Sequence, residues 1–425
     1  MQLISTLVGK IVYAVLKANG RSGSALPGLI IEKLFPAYLN NALKSLPKGV
    51  VVISGTNGKT TTTSLLVALL EAQGLRVLTN ETGSNFVRGA ISATAQKANW
   101  AGKLPFDIAV FEQDEAHAVH FVQRIKPRGV LLLNITRDQM DRFGEIDTTA
   151  KLLSQVAAGA TEWVVLNAND ERIGAIQAGK GVRRAWFAHN EQLGKQFVSD
   201  DQFYESKNPK HVLVGSPETW LETYREGKIT VRHNKEDCLY RFALPGVHNA
   251  QNFVAALAAL YQIVPEADNK IIEQVAQRAS PVFGRGESIL LPGGGELTLQ
   301  LIKNPSGFTQ SLKMVNETRL KAVGIAINDD YADGRDVSWL WDVQYDALRK
   351  HVVHCGGVRA TDMALRLKYD KVSVASLEDD LSSYLAGIDK SISTGERGIL
   401  FCTYTAMRQI RAELVGVKSG LEDKS

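Results

Sequence analysis

The sequence predicts an α/β fold, with a doubly wound, mostly parallel sheet in the first two thirds of the chain and a second α/β domain behind it. Short apolar, β-branched segments alternate with stretches of helical periodicity, which is the pattern of parallel strands joined by crossover helices. A glycine-rich loop follows the first of these strands and opens a helix. A second series of strand and helix patterns begins beyond Gly284, so we predict a domain boundary near residue 280.

Length and composition exclude several classes of protein. The 425 residues are 44% hydrophobic and 22% charged, which is typical of an ordered globular chain with two or three domains. A net charge of +4 excludes a polycation that coats nucleic acid. Three scattered cysteines (Cys238, Cys355 and Cys402) form neither a disulfide framework nor a CxxC metal motif. We therefore expect buried structural thiols and a reducing, cytoplasmic compartment.

The N-terminal segment predicts one amphipathic helix followed by a loop at 20–28. Its apolar residues recur with helical spacing: Leu3, Ile4, Leu7, Val8, Ile11, Val12, Val15 and Leu16. Lys10 interrupts them well before the ~20 apolar residues that a membrane span needs, and neither a basic n-region nor a cleavage site of a signal peptide is present. We expect this face to pack on the core, with a membrane-surface or partner contact as the alternative.

The remaining elements follow in chain order. In the first domain, strands are predicted at 49–54, 75–79, 107–112, 129–135 and 162–166, and helices at 60–72 and 249–263. A polar, β-leaning stretch at 200–242 predicts an insertion or a small side-sheet. In the second domain, strands are predicted at 322–327, 351–354, 371–374 and 398–403.

The strongest functional signal is the loop that follows the first strand: Gly55, Thr56, Asn57, Gly58, Lys59, Thr60 and Thr61. Its glycines let backbone N–H groups approach phosphate oxygens, and the helix N-terminus adds its positive dipole end. In such a loop Lys59 contacts the β- and γ-phosphates and the Thr60 hydroxyl binds Mg²⁺. The glycine that usually opens a P-loop is replaced by Ile53. We interpret the segment as a nucleotide site rather than a plain glycine turn.

This shortened loop resembles that of the Mur ligases and folylpolyglutamate synthetases, and the next strand end supports the resemblance. The segment 111–115 is similar to the acidic strand end that supplies a magnesium ligand in these enzymes, which implies Glu112 as the ligand and Glu115 as the alternative. The segment 134–142 resembles a Mur motif in which a histidine takes the place of Gln139. A second magnesium ion held by an imidazole is therefore not expected.

Three further segments resemble Mur motifs around the nucleotide. An Asn-Ala-x-Asp motif after the fifth strand implies that Asn167 and Asp170 lie near it. The pattern GxHNxxN at the start of the 249–263 helix implies that Asn252 contacts adenine or ribose. The segment Gly-Arg-Gly-Glu resembles the arginine motif of the ligase C-terminal side, which implies that Arg285 contacts the γ-phosphate.

The C-terminal part narrows the resemblance to the MurT family, the ligase-like subunits of lipid II isoglutaminyl synthases. The stretch DGRDVSWLWD at 333–342 is its most specific motif, and further matches occur in order at 303–308, 328–332, 356–359 and 403–407. The resemblance implies a Mur-ligase-like central P-loop domain with ATP at 49–280 and a MurT-type, Rossmann-like α/β domain at 281–425. Residues 1–48 are too few for the UDP-binding domain of a standard Mur ligase.

The activity implied by this resemblance is the ATP- and Mg²⁺-dependent amidation of D-isoglutamate in lipid II, or a related lipid-linked muropeptide, at the inner face of the membrane. Lys59 and Glu112 would serve the ATP-dependent step. No cysteine lies in a glutaminase nucleophile elbow, so ammonia would come from a separate glutaminase, GatD in this family. The family implies an aspartate that completes the Cys–His pair of that subunit, with Asp342 first and Asp336 second.

Two alternatives and one departure remain. The chain could be an amino-acid ligase of the Mur or folylpolyglutamate type, or a scaffold that binds ATP without catalysing ligation. Many MurT chains carry a four-cysteine zinc ribbon, but the 200–242 segment holds only Cys238, so no structural zinc is expected.

Overall fold

The computed structural model describes the chain at 2–18, 25–80, 86–136, 146–194, 196–197, 213–225, 227–282, 284–316 and 319–415. It forms two compact units. The N-terminal unit comprises Met1–Ile135, Ile146–Lys195 and Lys210–Ser280, and the C-terminal unit comprises Thr136–Glu145, Gln196–Pro209 and Pro281–Ser425. The predicted Gln139 motif from position 137 onward, and positions 200–212, lie outside the described residues.

The N-terminal unit is built on a sheet with the strand order β2-β3-β1-β4-β5-β6-β7-β8-β9. Its strands are β1 Val50–Ser54, β2 Val77–Thr79, β3 Ile108–Glu112, β4 Gly129–Leu132, β5 Trp163–Asn167, β6 Arg183–His189, β7 Thr219–Arg225, β8 Lys228–His233 and β9 Glu236–Arg241. Pairing is parallel from β2 to β7 and antiparallel beyond. The central strands are buried along their whole length and, apart from Ser54 and Glu112 at their ends, apolar, because both faces are covered.

The helices of this unit cover both faces of the sheet. They are α1 Gln2–Ala18, α2 Ala25–Leu34, α3 Tyr38–Leu43, α4 Lys59–Ala72, α5 Val87–Lys97, α6 Glu115–Ile125, α7 Ile146–Ala158, α8 Glu171–Gly174, α9 Glu191–Gly194, α10 Val247–Ile263 and α11 Asn269–Arg278. Strand β1 pairs with β3 on one side and β4 on the other, so the strand order changes direction around it. In open α/β sheets, ligands bind outside the carboxyl ends of strands at such a point. The glycine-rich loop lies there.

The predicted fold class is confirmed, with one difference in the 200–242 segment. We expected an insertion or a small side-sheet, whereas β7 pairs in parallel with β6, from Phe187 opposite Thr219 onward. The two antiparallel strands that follow extend the same sheet. Strand β6 was not predicted, because two arginines at its start obscure the apolar pattern.

The C-terminal unit contains a second sheet with the strand order β10-β11-β15-β12-β13-β14. Its strands are β10 Arg285–Leu290, β11 Glu296–Leu301, β12 Ala322–Ala326, β13 Val352–Gly356, β14 Ser373–Glu378 and β15 Arg397–Cys402, and its helices are α12 Pro305–Leu312, α13 Ala360–Tyr369, α14 Leu381–Ser391 and α15 Tyr404–Val415. Only the β10–β11 pair is antiparallel. This hairpin was not predicted, but the four predicted strands of this domain are all present.

Helix α1 buries residues outside the apolar face that was expected to pack on the core. Ser5 and Thr6 are buried, and the Thr6 hydroxyl lies 3.2 Å from the hydroxyl of Tyr38. Ile4 and Ile11 are 56% and 59% exposed. The prediction that the apolar face packs on the core is therefore wrong for these two residues. None of the described helices is long and apolar enough to cross a membrane.

Candidate functional site

The glycine-rich loop adopts the backbone of a phosphate-binding turn. Gly55 and Gly58 have φ angles of 132° and 85°, which side-chain-bearing residues rarely adopt. Helix α4 begins directly after Gly58, and Thr60 and Thr61 are buried in its first turn. A Cβ atom at Gly58 would collide with the carboxamide oxygen of Asn252. Position 58 therefore accepts only a residue without a side chain while Asn252 lies against it.

Lys59 folds back over this loop. Its ammonium nitrogen donates to the carbonyl of Gly55 at 2.6 Å and to that of Thr56 at 3.4 Å. It also lies 3.5 Å from each carboxylate oxygen of Glu115, and both side chains are almost fully buried. The ammonium is thus held at the mouth of the loop by one acidic side chain and two carbonyls.

The two acidic residues at the end of β3 have different surroundings. Glu112 ends the strand beside Ile53 of β1, and its backbone is fixed by Asn80, which accepts from the Glu112 N–H at 3.1 Å and donates to its carbonyl at 3.0 Å. Glu115 begins α6 and pairs with Lys59. Carboxylate and hydroxyl oxygens are the donor set that Mg²⁺ prefers, so Thr60, Glu112 and Glu115 fit such an ion. The binding of Mg²⁺ at this place, and the choice between the two carboxylates, stay predictions.

Gln113 is a candidate that the sequence reasoning missed. Its side chain is fully buried, and neither polar atom of its carboxamide has a hydrogen-bond partner among the described residues. Its carbonyl accepts from the Ser54 hydroxyl at 2.9 Å, which ties β3 to the strand that opens the loop. Buried polar groups are rarely left unpaired, so this carboxamide is a further candidate for a hydrogen bond to a ligand or to an ordered water.

The loop is also fastened to the chain that continues β4. The Asn134 carboxamide accepts from the Asn57 N–H at 2.9 Å and donates to the Asn57 carbonyl at 3.0 Å. The backbone carbonyl of Asn134 accepts from the Thr56 N–H at 3.0 Å. Asn134 opens the segment that resembles the Mur motif around Gln139, and its observed contacts position the loop.

Asn167 and Asp170 support this same segment from β5. Asn167 donates to the carbonyl of Leu133 at 2.8 Å, and Asp170 accepts from the N–H of Ile135 at 2.7 Å. The other oxygen of Asp170 caps α8 through the N–H of Ile173 at 3.0 Å. Desolvation raises the pKa of Asp170, while these backbone donors oppose the shift. Both residues brace the loop indirectly, and direct contact with a nucleotide stays a prediction.

Asn252 lies against the loop from α10. Its carboxamide contacts Gly58, as described above, whereas Asn249 of the same motif donates to the carbonyl of Pro245 at 2.6 Å and fastens the start of the helix. Desolvation lowers the pKa of His248 to about 4, so its imidazole is neutral near pH 7. The motif therefore brings one polar side chain to the loop and uses the others for structure.

In the C-terminal unit, the predicted motifs meet at the carboxyl edge of the sheet. The N–H of Asn328, after β12, donates to the hydroxyl of Thr403, after β15, at 2.9 Å. Its carboxamide oxygen accepts from the N–H of Val358, after β13, at 3.3 Å. Asp333 is buried and accepts from both the N–H and the hydroxyl of Thr405, while burial raises its pKa. The sequence did not reveal this bond because the two residues lie 72 positions apart.

Asp336 and Asp342 differ in how they are held. Asp336 is exposed, accepts from the N–H of Ser338 at 2.8 Å, and has a lowered pKa because of that bond. Asp342 is half-buried at the end of a 3₁₀ turn, Ser338–Asp342. The carbonyls on either side of it accept from buried Arg366, at 3.4 Å from Trp341 and 3.1 Å from Val343. These two bonds fix the backbone on either side of Asp342.

Arg285 and two of the three cysteines lie in the C-terminal unit. Arg285 opens β10, where a bulge separates it from Glu287, and Glu287 pairs with Arg411 at 3.0 Å. A contact of Arg285 with the γ-phosphate stays a prediction. Cys355 and Cys402 are buried as expected, whereas Cys238 is only half-buried. Burial raises the pKa of both buried thiols, to about 12 for Cys355, so neither is set up as a nucleophile.

Comparisons with known proteins agree with this arrangement. Residues 53–260 match the family of Mur ligase middle domains, and residues 301–407 match the family of MurT ligase C-terminal domains. A protein of Streptococcus pneumoniae R6 is named lipid II isoglutaminyl synthase (glutamine-hydrolyzing) subunit MurT, and it is 31% identical over 96% of both chains. A Staphylococcus aureus COL protein of the same name is 27% identical over 86% of this chain and 87% of its own.

Solved structures agree on the fold. MurF from Acinetobacter baumannii superimposes with a TM-score of 0.69 at 16% identity, over 93% of this chain and 81% of its own. From these matches together, the chain belongs to the MurT family of Mur-ligase-like proteins.

Proposed function

We propose that this chain is the ATP-dependent ligase subunit of a glutamine-hydrolysing lipid II isoglutaminyl synthase. It would convert the α-carboxyl group of D-isoglutamate in the lipid II stem peptide to the amide, D-isoglutamine, in peptidoglycan synthesis. The observation that carries this proposal is the buried Lys59–Glu115 pair over a glycine loop in a chain of the MurT family. Both relatives described above carry the name of that enzyme.

The nucleotide would be ATP, bound through the backbone N–H groups of the loop and the ammonium of Lys59. These groups carry positive charge toward the phosphates, which stabilises charge on the transferring phosphoryl group. Mg²⁺, bound through Thr60 and the preferred ligand Glu112, would supply further charge neutralisation. Glu115 would keep the ammonium of Lys59 aimed at the loop.

The reaction would proceed in two half-reactions. A carboxylate oxygen of the substrate attacks the γ-phosphorus of ATP, the bond to the ADP oxygen breaks, and an acyl phosphate forms. Ammonia then attacks the acyl carbon, phosphate leaves, and the nitrogen loses a proton to give the amide. Water must be excluded in between, because it would hydrolyse the acyl phosphate.

Ammonia would come from a glutaminase partner of the GatD type, and Asp342 would complete the Cys–His pair of that partner. One feature favours Asp342 over Asp336. Arg366 fixes the carbonyls that flank Asp342, and a carboxylate that orients an imidazolium needs a fixed position.

Reconstitution tests the proposal. The purified chain and a glutaminase subunit are mixed with lipid II, ATP and glutamine, and the product is measured by mass spectrometry. We expect a loss of about one mass unit, from OH to NH₂, only when both proteins and ATP are present. Addition of an amino acid by this chain alone would instead identify a Mur- or folylpolyglutamate-type ligase. ATP binding without any product would identify a scaffold.

A further inference from the structure

Helix α1 presents an apolar face away from the protein. On a helix, Ile4 and Ile11 are seven positions apart and share one face, with Leu7 and Val8 between them. Ile4 and Ile11 are more than half exposed, and Leu7 and Val8 are only half-buried. Aliphatic side chains normally turn inward on a surface helix, so this orientation needs a reason.

The inward face explains why the helix cannot simply rotate. It carries small or polar residues: Ser5, Thr6 and Gly9. A Cβ atom at Gly9 would lie 2.5 Å from a methyl carbon of Ile31 in α2 and 3.0 Å from the Cβ of Ala95 in α5, so the helices approach closely only at a glycine. The Thr6 hydroxyl is fixed by Tyr38. Turning an isoleucine into this contact would leave no room for it.

The charge of the N-terminal segment that contains α1 is strongly one-sided. The chain has 49 basic and 45 acidic residues. Its first 48 residues contain six of the basic residues and one of the acidic residues, so the rest of the chain is close to neutral. The single acid, Glu32, already pairs with Arg88 at 3.0 Å and Arg124 at 3.6 Å. Helix α1 itself contains two lysines and no acid.

An aromatic residue flanks the helix beside one of these lysines. Trp100 is 72% exposed, and the ammonium of Lys10 lies 5.2 Å from its ring centroid. The same ammonium donates to the carbonyl of Gln96 at 3.0 Å, which holds the pair in place. An exposed indole next to a lysine, beside an aliphatic face, is the composition of helices that lie in the headgroup region of a bilayer.

We propose that the outward face of α1 binds the surface of an anionic lipid bilayer, with Ile4 and Ile11 inserted between headgroups and Lys10 and Trp100 at the polar boundary. Aliphatic side chains supply the insertion, and the excess of basic residues selects negatively charged lipid. This binding does not depend on the ligase activity proposed above. It would bring the protein to the layer in which a lipid-linked substrate resides.

Vesicle flotation of the full chain tests this. Vesicles of equal parts phosphatidylglycerol and phosphatidylcholine are compared with pure phosphatidylcholine, at 50 and 500 mM NaCl. We expect binding to the anionic vesicles at low salt, several-fold weaker binding at high salt, and several-fold weaker binding to the neutral vesicles. The double variant Ile4→Ser/Ile11→Ser should bind the anionic vesicles about ten-fold more weakly.

The matched control is Leu290→Ser/Val352→Ser, which removes two comparably exposed aliphatic side chains from the C-terminal unit and should bind as the parent does. Thermal melting checks that both variants are folded. The proposal is overturned if the parent does not float with anionic vesicles, or if Ile4→Ser/Ile11→Ser binds equally well. It is also overturned if the parent self-associates in sedimentation without binding vesicles and the double variant Ile4→Ser/Ile11→Ser reduces that self-association. The face would then be a protein contact.

Discussion

The ammonium of Lys59 and the carboxylate of Glu115 form a buried ion pair at the mouth of the glycine loop, with the nitrogen 3.5 Å from both oxygens. Breaking one side of a buried pair leaves an uncompensated charge, which typically costs about 3–5 kcal/mol. Lys59→Ala should therefore lower the free energy of unfolding. It should also abolish ATP-dependent amidation, because the proposed contact of the ammonium with the phosphates is lost. The double variant Lys59→Met/Glu115→Gln should regain stability but not activity. Urea unfolding and the amidation assay separate the two effects, and full activity of Lys59→Ala would refute the nucleotide assignment.

Asn134 should affect nucleotide binding without touching the nucleotide. Asn134→Ala removes both side-chain bonds to Asn57, so we expect about a 10–100-fold higher KM for ATP with a smaller change in kcat. Asn99→Ala is the control, because Asn99 accepts from the N–H groups of Ala101 and Lys103 in an exposed turn. An unchanged KM for Asn134→Ala would show that the loop holds its shape without this brace.

Two glycines with nearly equal φ angles separate backbone strain from steric exclusion. Gly58 and Gly74 have φ angles of 85° and 88°, but a Cβ at Gly58 meets Asn252 whereas one at Gly74 meets nothing within 4 Å. Both alanine variants should lose about 1 kcal/mol of stability from the left-handed backbone. Only Gly58→Ala should lose ATP affinity, measured by isothermal titration. Equal affinities in the two variants would contradict a close approach of phosphate at position 58.

The two candidate aspartates can be distinguished with the glutaminase partner present. Asp342→Asn should silence glutamine hydrolysis but leave amidation driven by added ammonium chloride, because only the orientation of the partner's imidazole is lost. Asp336→Asn should leave both reactions close to normal, since an asparagine oxygen can still accept from Ser338. The opposite pattern would transfer the role to Asp336.

Stability should fall in weak acid because of His248. Desolvation lowers the folded-state pKa of this histidine to about 4, against an ordinary value of 6.5. Between these pH values the unfolded chain binds more protons, so the free energy of unfolding should fall by about 2 kcal/mol from pH 6.5 to 4. His248→Gln should flatten this slope. Urea titrations at half-unit pH steps measure it, and identical slopes in the parent and the variant would exclude His248 as the cause.

The sequence predicted the elements of this protein better than the contacts between them. The glycines and Lys59 predict the loop because their chemistry depends only on neighbouring residues. Runs of β-branched residues, such as that of β1, likewise predict buried strands from local sequence. The bracing bonds of Asn134 and Asn167 join positions 77 and 34 residues apart, so no local pattern reveals them. The Asn-rich motifs therefore identified residues that support the loop segment, but they did not reveal which side chains make the bonds, and a contact with a nucleotide stays a prediction.

The orientation of α1 shows a second kind of limit. Helical periodicity tells which residues share a face, but the inward face is decided by the partner surface. Here Gly9 permits an approach that only a small-residue face can make. The place of strands β7 to β9 in the sheet is a second example of this limit. The partner with which a strand pairs depends on which sheet edge is free and not on the strand's own sequence.

The hydrogen bonds by which Asn167 and Asn134 fix the loop and its neighbouring segment affect the entropy of ligand binding. A loop whose backbone is fixed during folding loses little conformational entropy when a ligand arrives, so its affinity depends on how completely the fold enforces that shape. Substitutions in β5, away from the loop itself, should therefore weaken binding through a larger entropic penalty at nearly constant enthalpy.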